Sequence, residues 1–77
     1  MDLYQRARNL TALLERKSQP EWAGKFRDCL ETGATGTEIV MCLRWNAEQF
    51  IQSTAGSDEE CRSLAVAVRQ EAARLIG

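Results

Sequence analysis

The segment from Glu38 to Ile51 constrains the fold more than any other part of the chain. At about 100° per residue, its main apolar side chains fall on one continuous arc of roughly 120°. These side chains belong to Ile39, Val40, Leu43, Ala47, Phe50 and Ile51. An arc this wide can contact more than one neighbouring helix, so the segment is predicted to be the central helix of an all-α fold.

Apolar periodicity and helix-end signals extend this prediction to the whole sequence. The predicted helices cover residues 2–17, 19–31, 36–53 and 58–76. No segment shows the sustained alternation of a strand. Because the connections are short, we expect a small four-helix up-and-down bundle, with residues 1–77 forming a single helical domain.

Short polar sequences of the form S/T-x-x-E are predicted to begin the later helices as capping boxes. They start at Ser18, Thr35 and Ser57. Gly33 is predicted to end the second helix in the left-handed conformation. The last helix is predicted to bury an apolar arc formed by Cys61, Leu64, Ala65, Val68, Ala72, Leu75 and Ile76.

Composition argues against most kinds of chemistry. The chain has no histidine, which removes the usual general base and the commonest neutral metal ligand. It also lacks a paired nucleophile and base and a Gly-rich phosphate loop, so we predict that it is not an enzyme and holds no cofactor or metal. The formal net charge of −1 provides no dominant basic surface, so nucleic-acid binding is not favoured either.

The three cysteines, Cys29, Cys42 and Cys61, have no CxxC spacing. Each falls on or near an apolar helix face. We therefore expect buried thiols in a reducing compartment. No apolar run reaches the length of about 18 residues typical of a membrane span, and no signal-peptide pattern begins the sequence, so a cytoplasmic protein without membrane contact is predicted.

One apolar pair is left over from the bundle. Met41 and Trp45 lie four residues apart on the central helix, beyond Arg44 and Glu48 and outside its main arc. They are either covered by another helix or exposed for a protein partner or a second copy, since Trp and Met are enriched at interface cores. Gln49 lies beside them. Trp22 has the same ambiguity, because it can close the end of the bundle or project outward.

The segment from Gln19 to Arg27, which includes Pro20, Glu21, Trp22 and Ala23, resembles a motif of small uncharacterised bacterial all-α proteins. Some of these resemble immunity proteins that neutralise a toxin partner. The resemblance implies a small bacterial binding protein and carries over no functional residue. The chain departs from the immunity pattern in charge, because those proteins usually present a strongly acidic face.

The leading hypothesis is a small protein-binding module that acts by stoichiometric binding, as an inhibitor or immunity-type protein does. It would use Met41, Trp45 and Gln49, with Trp22 as a further candidate. The alternative is a homodimeric helical regulator that contacts nucleic acid through a basic face of the first helix. That face would consist of Arg6, Arg8, Arg16 and Lys17.

Overall fold

The computed structural model describes residues 2–33 and 35–76. It contains four α-helices and a short 3-10 helix, and no strand among those residues. The α-helices are α1 (Leu3–Arg16), α2 (Pro20–Thr32), α3 (Gly36–Gln52) and α4 (Glu59–Ile76), and the 3-10 helix (Thr54–Ser57) connects α3 to α4. The predicted all-α fold is confirmed, with helix ends within one or two residues of the predicted ones.

The helices form a four-helix bundle in which each packs against two others. Helix α1 contacts α2 and α4, and α3 contacts the same two helices. Each helix buries one apolar stripe, so the four stripes meet in one core. The largest fully buried side chains are Phe26, Phe50, Leu10, Leu14, Leu43, Val68, Cys29 and Cys61. The predicted central helix therefore does bury its main arc.

The capping box predicted at Thr35 begins α3 as expected, since the Thr35 hydroxyl accepts a hydrogen bond from the Glu38 amide at 3.2 Å. The box predicted at Ser18 is wrong. Ser18 adopts a φ of 59° and belongs to the end of α1. Its amide donates to Glu15 O, and the Gln19 amide donates to Leu14 O at 2.8 Å, which is the Schellman pattern of a helix C-terminus.

The box predicted at Ser57 is displaced by one residue. The residue that caps α4 is Asp58, whose Oδ1 accepts from the Cys61 amide at 3.0 Å. The Ser57 hydroxyl instead donates to Thr54 O at 2.8 Å within the 3-10 helix. Asp58 is the better cap because its negative charge also interacts favourably with the positive end of the helix dipole.

Gly33 does not take the predicted left-handed conformation, because its φ of −65° and ψ of 128° are extended. Glycine is needed there for another reason. A Cβ at this position would overlap Cγ1 of Ile39. The chain thus uses glycine to let the α2–α3 turn approach the first turn of α3 closely.

Two of the cysteines are not thiols. Cys29 of α2 and Cys42 of α3 form a disulfide with a Cα–Cα distance of 5.6 Å, and Cys61 is free and buried. The expectation of three buried thiols is therefore wrong for this pair. The pairing was not visible in the sequence, because it depends on how α2 and α3 pack. The disulfide also removes the argument by which the cysteines indicated a reducing compartment.

Candidate functional site

Met41 and Trp45 are exposed on the outer side of α3. The exposed fractions are 56% for Met41 and 62% for Trp45. At about 100° per residue, Met41 lies roughly 160° around the helix from Leu43, which is fully buried. The packed side of α3 thus faces away from this pair. Of the two possibilities that the sequence left open, the structure shows the exposed one.

A shallow groove joins this pair to the end of α4. The groove has a volume of about 250 Å³ and is lined by Met41, Trp45 and Ile76 together with Arg44 and Glu48. These five residues define the Met41/Trp45 surface. It combines side chains from two helices, so its shape depends on the packing of α3 against α4.

Ile76 was not predicted as part of this surface. The sequence assigned Leu75 and Ile76 to the buried arc of the last helix, but their exposed fractions are 54% and 38%. The buried stripe of α4 ends at Ala72. Periodicity alone gives the direction of a side chain and not how far the neighbouring helices extend to cover it.

The rim of the surface carries one charge of each sign. Arg44 Nε lies 3.4 Å from Glu48 Oε1, four residues later on the same helix. Both side chains are partly exposed, so the pair contributes little to stability by itself. It does leave the rim of the apolar groove without a net charge.

The other two predicted site residues have different surroundings. Gln49 is half-buried, one turn after Trp45 on the same side of α3, but does not line the groove. Trp22 of α2 is also half-buried and packs edge-to-face against Phe50, with ring centroids 5.2 Å apart. Lys25 Nζ lies 5.4 Å from the Trp22 ring centroid. Trp22 is therefore a core-closing residue, separate from the Met41/Trp45 surface.

The basic side chains of α1 and of Lys17, which directly follows it, do not form one face. Lys17 is held between Asp58 and Glu60, each at 3.3 Å. Hydrogen bonds to Glu60 and then to Asp58 raise the pKa of Lys17 above its ordinary value. Arg6 is half-buried. Because these charges are neutralised or withdrawn from the surface, they provide no continuous site for phosphates.

Arg8 and Arg16 are exposed but stand beside acids. Arg8 lines a groove between α1 and α2 that also contains Glu15, Arg27 and Glu31. Arg16 lines another groove together with Glu60. Alternating charge of this kind is typical of a solvated surface, so nothing in the geometry favours the nucleic-acid alternative.

Within residues 2–33 and 35–76, no group of three or more His, Cys, Asp or Glu side chains is arranged to hold a metal ion. None of the helices in this part of the chain has the length and apolar character needed to cross a membrane.

Comparison with protein-family models, with curated proteins and with solved structures finds no match to this chain.

Proposed function

We propose that this chain is a small protein-binding module that acts by stoichiometric binding of one partner protein through the Met41/Trp45 surface. The observation that carries the proposal is the 62% exposure of Trp45, next to Met41 at 56%, on a helix whose opposite side is fully packed. We propose binding rather than catalysis, because the surface offers mainly apolar contacts and its one carboxylate, that of Glu48, is paired with Arg44.

Exposed Trp and Met side chains on neighbouring turns form a contiguous apolar patch, and such patches mark sites where another molecule binds. A buried Trp contributes large contact area at interfaces and is a common hot-spot residue. Met is flexible and adapts to an irregular partner surface. The groove between these side chains and Ile76 would accept one apolar side chain of the partner.

The charges at the rim define the partner further. Arg44 and Glu48 present one charge of each sign. A partner with a strongly acidic or basic face would leave one of them beside a like charge, which disfavours binding. The expected partner is a protein with an apolar helix face or loop, flanked by one acidic and one basic side chain.

An inhibitory or immunity-type role is the finer part of the proposal. It is supported by the resemblance of the segment from Gln19 to Arg27 to small bacterial helical proteins. Trp22 would serve that role by stabilising the bundle, since it packs on Phe50. We further propose that the protein is bacterial.

A photo-crosslinking amino acid at position 41 tests the proposal. The matched control carries the same amino acid at Ala12, which is exposed in the groove between α1 and α2. Both chains are irradiated in an extract of the source cells. We expect one discrete adduct from position 41 and none from position 12. The adduct is identified by mass spectrometry, and the purified partner is titrated against the chain.

A one-to-one complex that Trp45→Ala weakens by about thirtyfold or more would support the proposal, since a hot-spot residue contributes about 2 kcal/mol or more. Equal adducts from positions 41 and 12 would contradict it. An adduct of twice the chain mass would identify a second copy as the partner and would also contradict it.

A further inference from the structure

The disulfide between Cys29 and Cys42 has two unequal ends. Cys29, near the end of α2, is 1% exposed. Cys42, in the first half of α3, is only partly buried. Thiol–disulfide exchange requires an attacking thiolate to reach one sulfur, and access decides which sulfur is attacked. The burial of Cys29 leaves Cys42 as the sulfur that an external thiol can reach.

Asn46 holds an amide over this disulfide. Its Nδ2 donates to Cys42 O at 3.0 Å and to Cys29 Sγ at 3.0 Å, and it lies 3.5 Å from Cys42 Sγ. The bond to Cys42 O fixes the side chain, because Asn46 is four residues after Cys42 on the same helix. The closer of the two sulfurs is the buried one.

This hydrogen bond favours a charged sulfur. A disulfide sulfur is a weak acceptor, whereas a thiolate is an anion, and hydrogen bonds to charged groups are about twice as strong as neutral ones. Asn46 therefore stabilises Cys29 more as a thiolate than as part of the disulfide. The amide donor is therefore placed where it would stabilise a thiolate that leaves from the less accessible sulfur.

We propose that the Cys29–Cys42 disulfide is an exchange site for small-molecule thiols, with Cys42 as the attacked sulfur and Cys29 as the leaving thiolate held by Asn46. This goes beyond the proposed binding function and does not depend on it. It concerns the side of α3 that faces α2, whereas Met41 and Trp45 lie on the outer side.

The exchange proceeds in two balanced steps. The thiolate of the small molecule attacks Cys42 Sγ, a mixed disulfide forms at Cys42, and the electron pair of the broken S–S bond remains on Cys29. A second thiolate then attacks the sulfur of the small molecule in the mixed disulfide, which releases Cys42. In total, two thiols are oxidised to one small disulfide, and Cys29 and Cys42 gain two electrons and, as thiols, two protons.

Cys61 takes no part in this exchange. It is 1% exposed, and its burial, followed by the nearby charge of Asp58, raises the pKa of its thiol. A buried thiol that resists ionisation is a poor nucleophile. The third cysteine therefore does not compete for the mixed disulfide.

Reduced glutathione is the probe for the first test, on the full-length oxidised chain. Samples are quenched with acid during reduction, free thiols are alkylated, and the chain is cleaved after glutamate. Cleavage at Glu31 and Glu38 separates the peptides that contain Cys29 and Cys42. We expect glutathione on Cys42 and the alkyl label on Cys29. Glutathione on Cys29, or equal amounts on both cysteines, would overturn the proposal. Free thiols at both cysteines in the oxidised chain, before glutathione is added, would also overturn it.

The second test measures the rate of reduction in Asn46→Leu and Asn46→Ala. Both variants remove the donor, and Ala also opens access to the sulfurs. We expect the rate to fall about tenfold in both, because a hydrogen bond to a charged group is lost. Gln52→Leu is the matched control, since Gln52 is an exposed amide at the end of the same helix. An unchanged rate in both Asn46 variants, or a faster one in Asn46→Ala, would overturn the role of Asn46. The mapping uses the wild-type chain, so it stays decisive if either variant loses helical content.

Discussion

Trp22 and Trp45 have opposite surroundings. The Trp22 ring packs edge-to-face against Phe50, which is itself fully buried. Trp45 is 62% exposed and lines the same groove as Ile76. An aromatic pair of this geometry contributes about 0.5–1.5 kcal/mol beyond the area that it buries. Trp22 therefore stabilises the bundle, whereas Trp45 is free to contribute to an interface.

Alanine substitutions of the two tryptophans are expected to separate these roles. Trp22→Ala should lower the free energy of unfolding by about 2–4 kcal/mol, because it removes the contact with Phe50 and opens the core. Trp45→Ala should change it by no more than about 0.5 kcal/mol, as for other exposed positions. Urea unfolding followed by circular dichroism measures both. A large loss in Trp45→Ala would show that Trp45 is a core residue.

The start of α4 depends on Asp58, which is the cap of that helix and an ion-pair partner of Lys17. The hydrogen bond from the Cys61 amide is the main cause that lowers the pKa of the Asp58 carboxyl, and Lys17 adds to it. Because the pKa is lower in the folded chain than in the unfolded one, ionised Asp58 stabilises the fold. That contribution is present above the ordinary carboxyl pKa of 3.8 and is lost as the pH falls through the lowered value.

Asp58→Asn should therefore be less stable than the wild type at neutral pH, and the difference should shrink as the pH falls below the ordinary carboxyl pKa of 3.8. The measurement is urea unfolding at a series of pH values. Glu59→Gln is the control, since Glu59 is exposed in the same turn and its side chain has no hydrogen bond or ion pair within the described residues. A difference that stays constant across this pH range would show that the Asp58 charge does not stabilise α4.

Glycines in a helix and in a connection have different effects on stability. Gly24 lies inside α2, and a Cβ there would meet nothing within 4 Å. Gly56 is buried in the 3-10 helix, where a Cβ would overlap the carbonyl oxygens of Phe50 and Ile51. The first glycine only weakens its helix, whereas the second permits the chain to pass close to the end of α3.

The same substitution should thus have opposite effects at these two positions. Gly24→Ala is expected to stabilise the protein by about 0.5–1 kcal/mol, because alanine favours the helix. Gly56→Ala is expected to destabilise it by about 1–3 kcal/mol through the overlap with backbone atoms. Thermal unfolding of the two variants in parallel shows whether each substitution raises or lowers the stability. Equal shifts would contradict the close approach at Gly56.

The helices could be predicted from the sequence because their apolar spacing and polar ends are local signals. The capping residues are less predictable, because the residues of a short connection can end one helix or begin the next. Ser18 ends α1 instead of beginning α2, and Asp58 replaces Ser57 as the cap of α4. In both cases the residue pattern fits either assignment, and only the position of the neighbouring helix decides between them.

The candidate site was predictable only in part, because its properties depend on tertiary packing. The sequence placed Met41 and Trp45 outside the main arc but could not say whether another helix covers them. The contribution of Ile76 and the pairing of Cys29 with Cys42 both require the packing of helices that are distant in sequence. No periodic pattern contains that information.

At the scale of the whole molecule, the disulfide compensates for a small core. A chain of 77 residues buries a limited share of its surface, so its stability margin is thin. The disulfide joins residues 13 apart in sequence and connects α2 to α3 covalently. It also restricts the unfolded chain, which raises the free energy of unfolding.

Removing this link should lower stability substantially. The double variant Cys29→Ala and Cys42→Ala is expected to lose about 3 kcal/mol, which corresponds to the loop-closure entropy of a short loop. A phosphine reductant should destabilise the wild type by a similar amount and leave the double variant unchanged. Urea unfolding with and without the reductant gives both values. A wild type that does not respond to the reductant would show that the link does not restrict the unfolded chain.

Protein binding through the Met41/Trp45 surface is tested most directly by titration calorimetry with the partner captured from position 41. Wild type, Trp45→Ala and the control Arg8→Ala, on the opposite α1–α2 groove, are compared. We predict one-to-one binding, a loss of about thirtyfold or more in affinity for Trp45→Ala, and a change within about threefold for Arg8→Ala. Unchanged affinity in Trp45→Ala, with the loss found in Arg8→Ala, would place the interface on the other side of the bundle and contradict the proposed function.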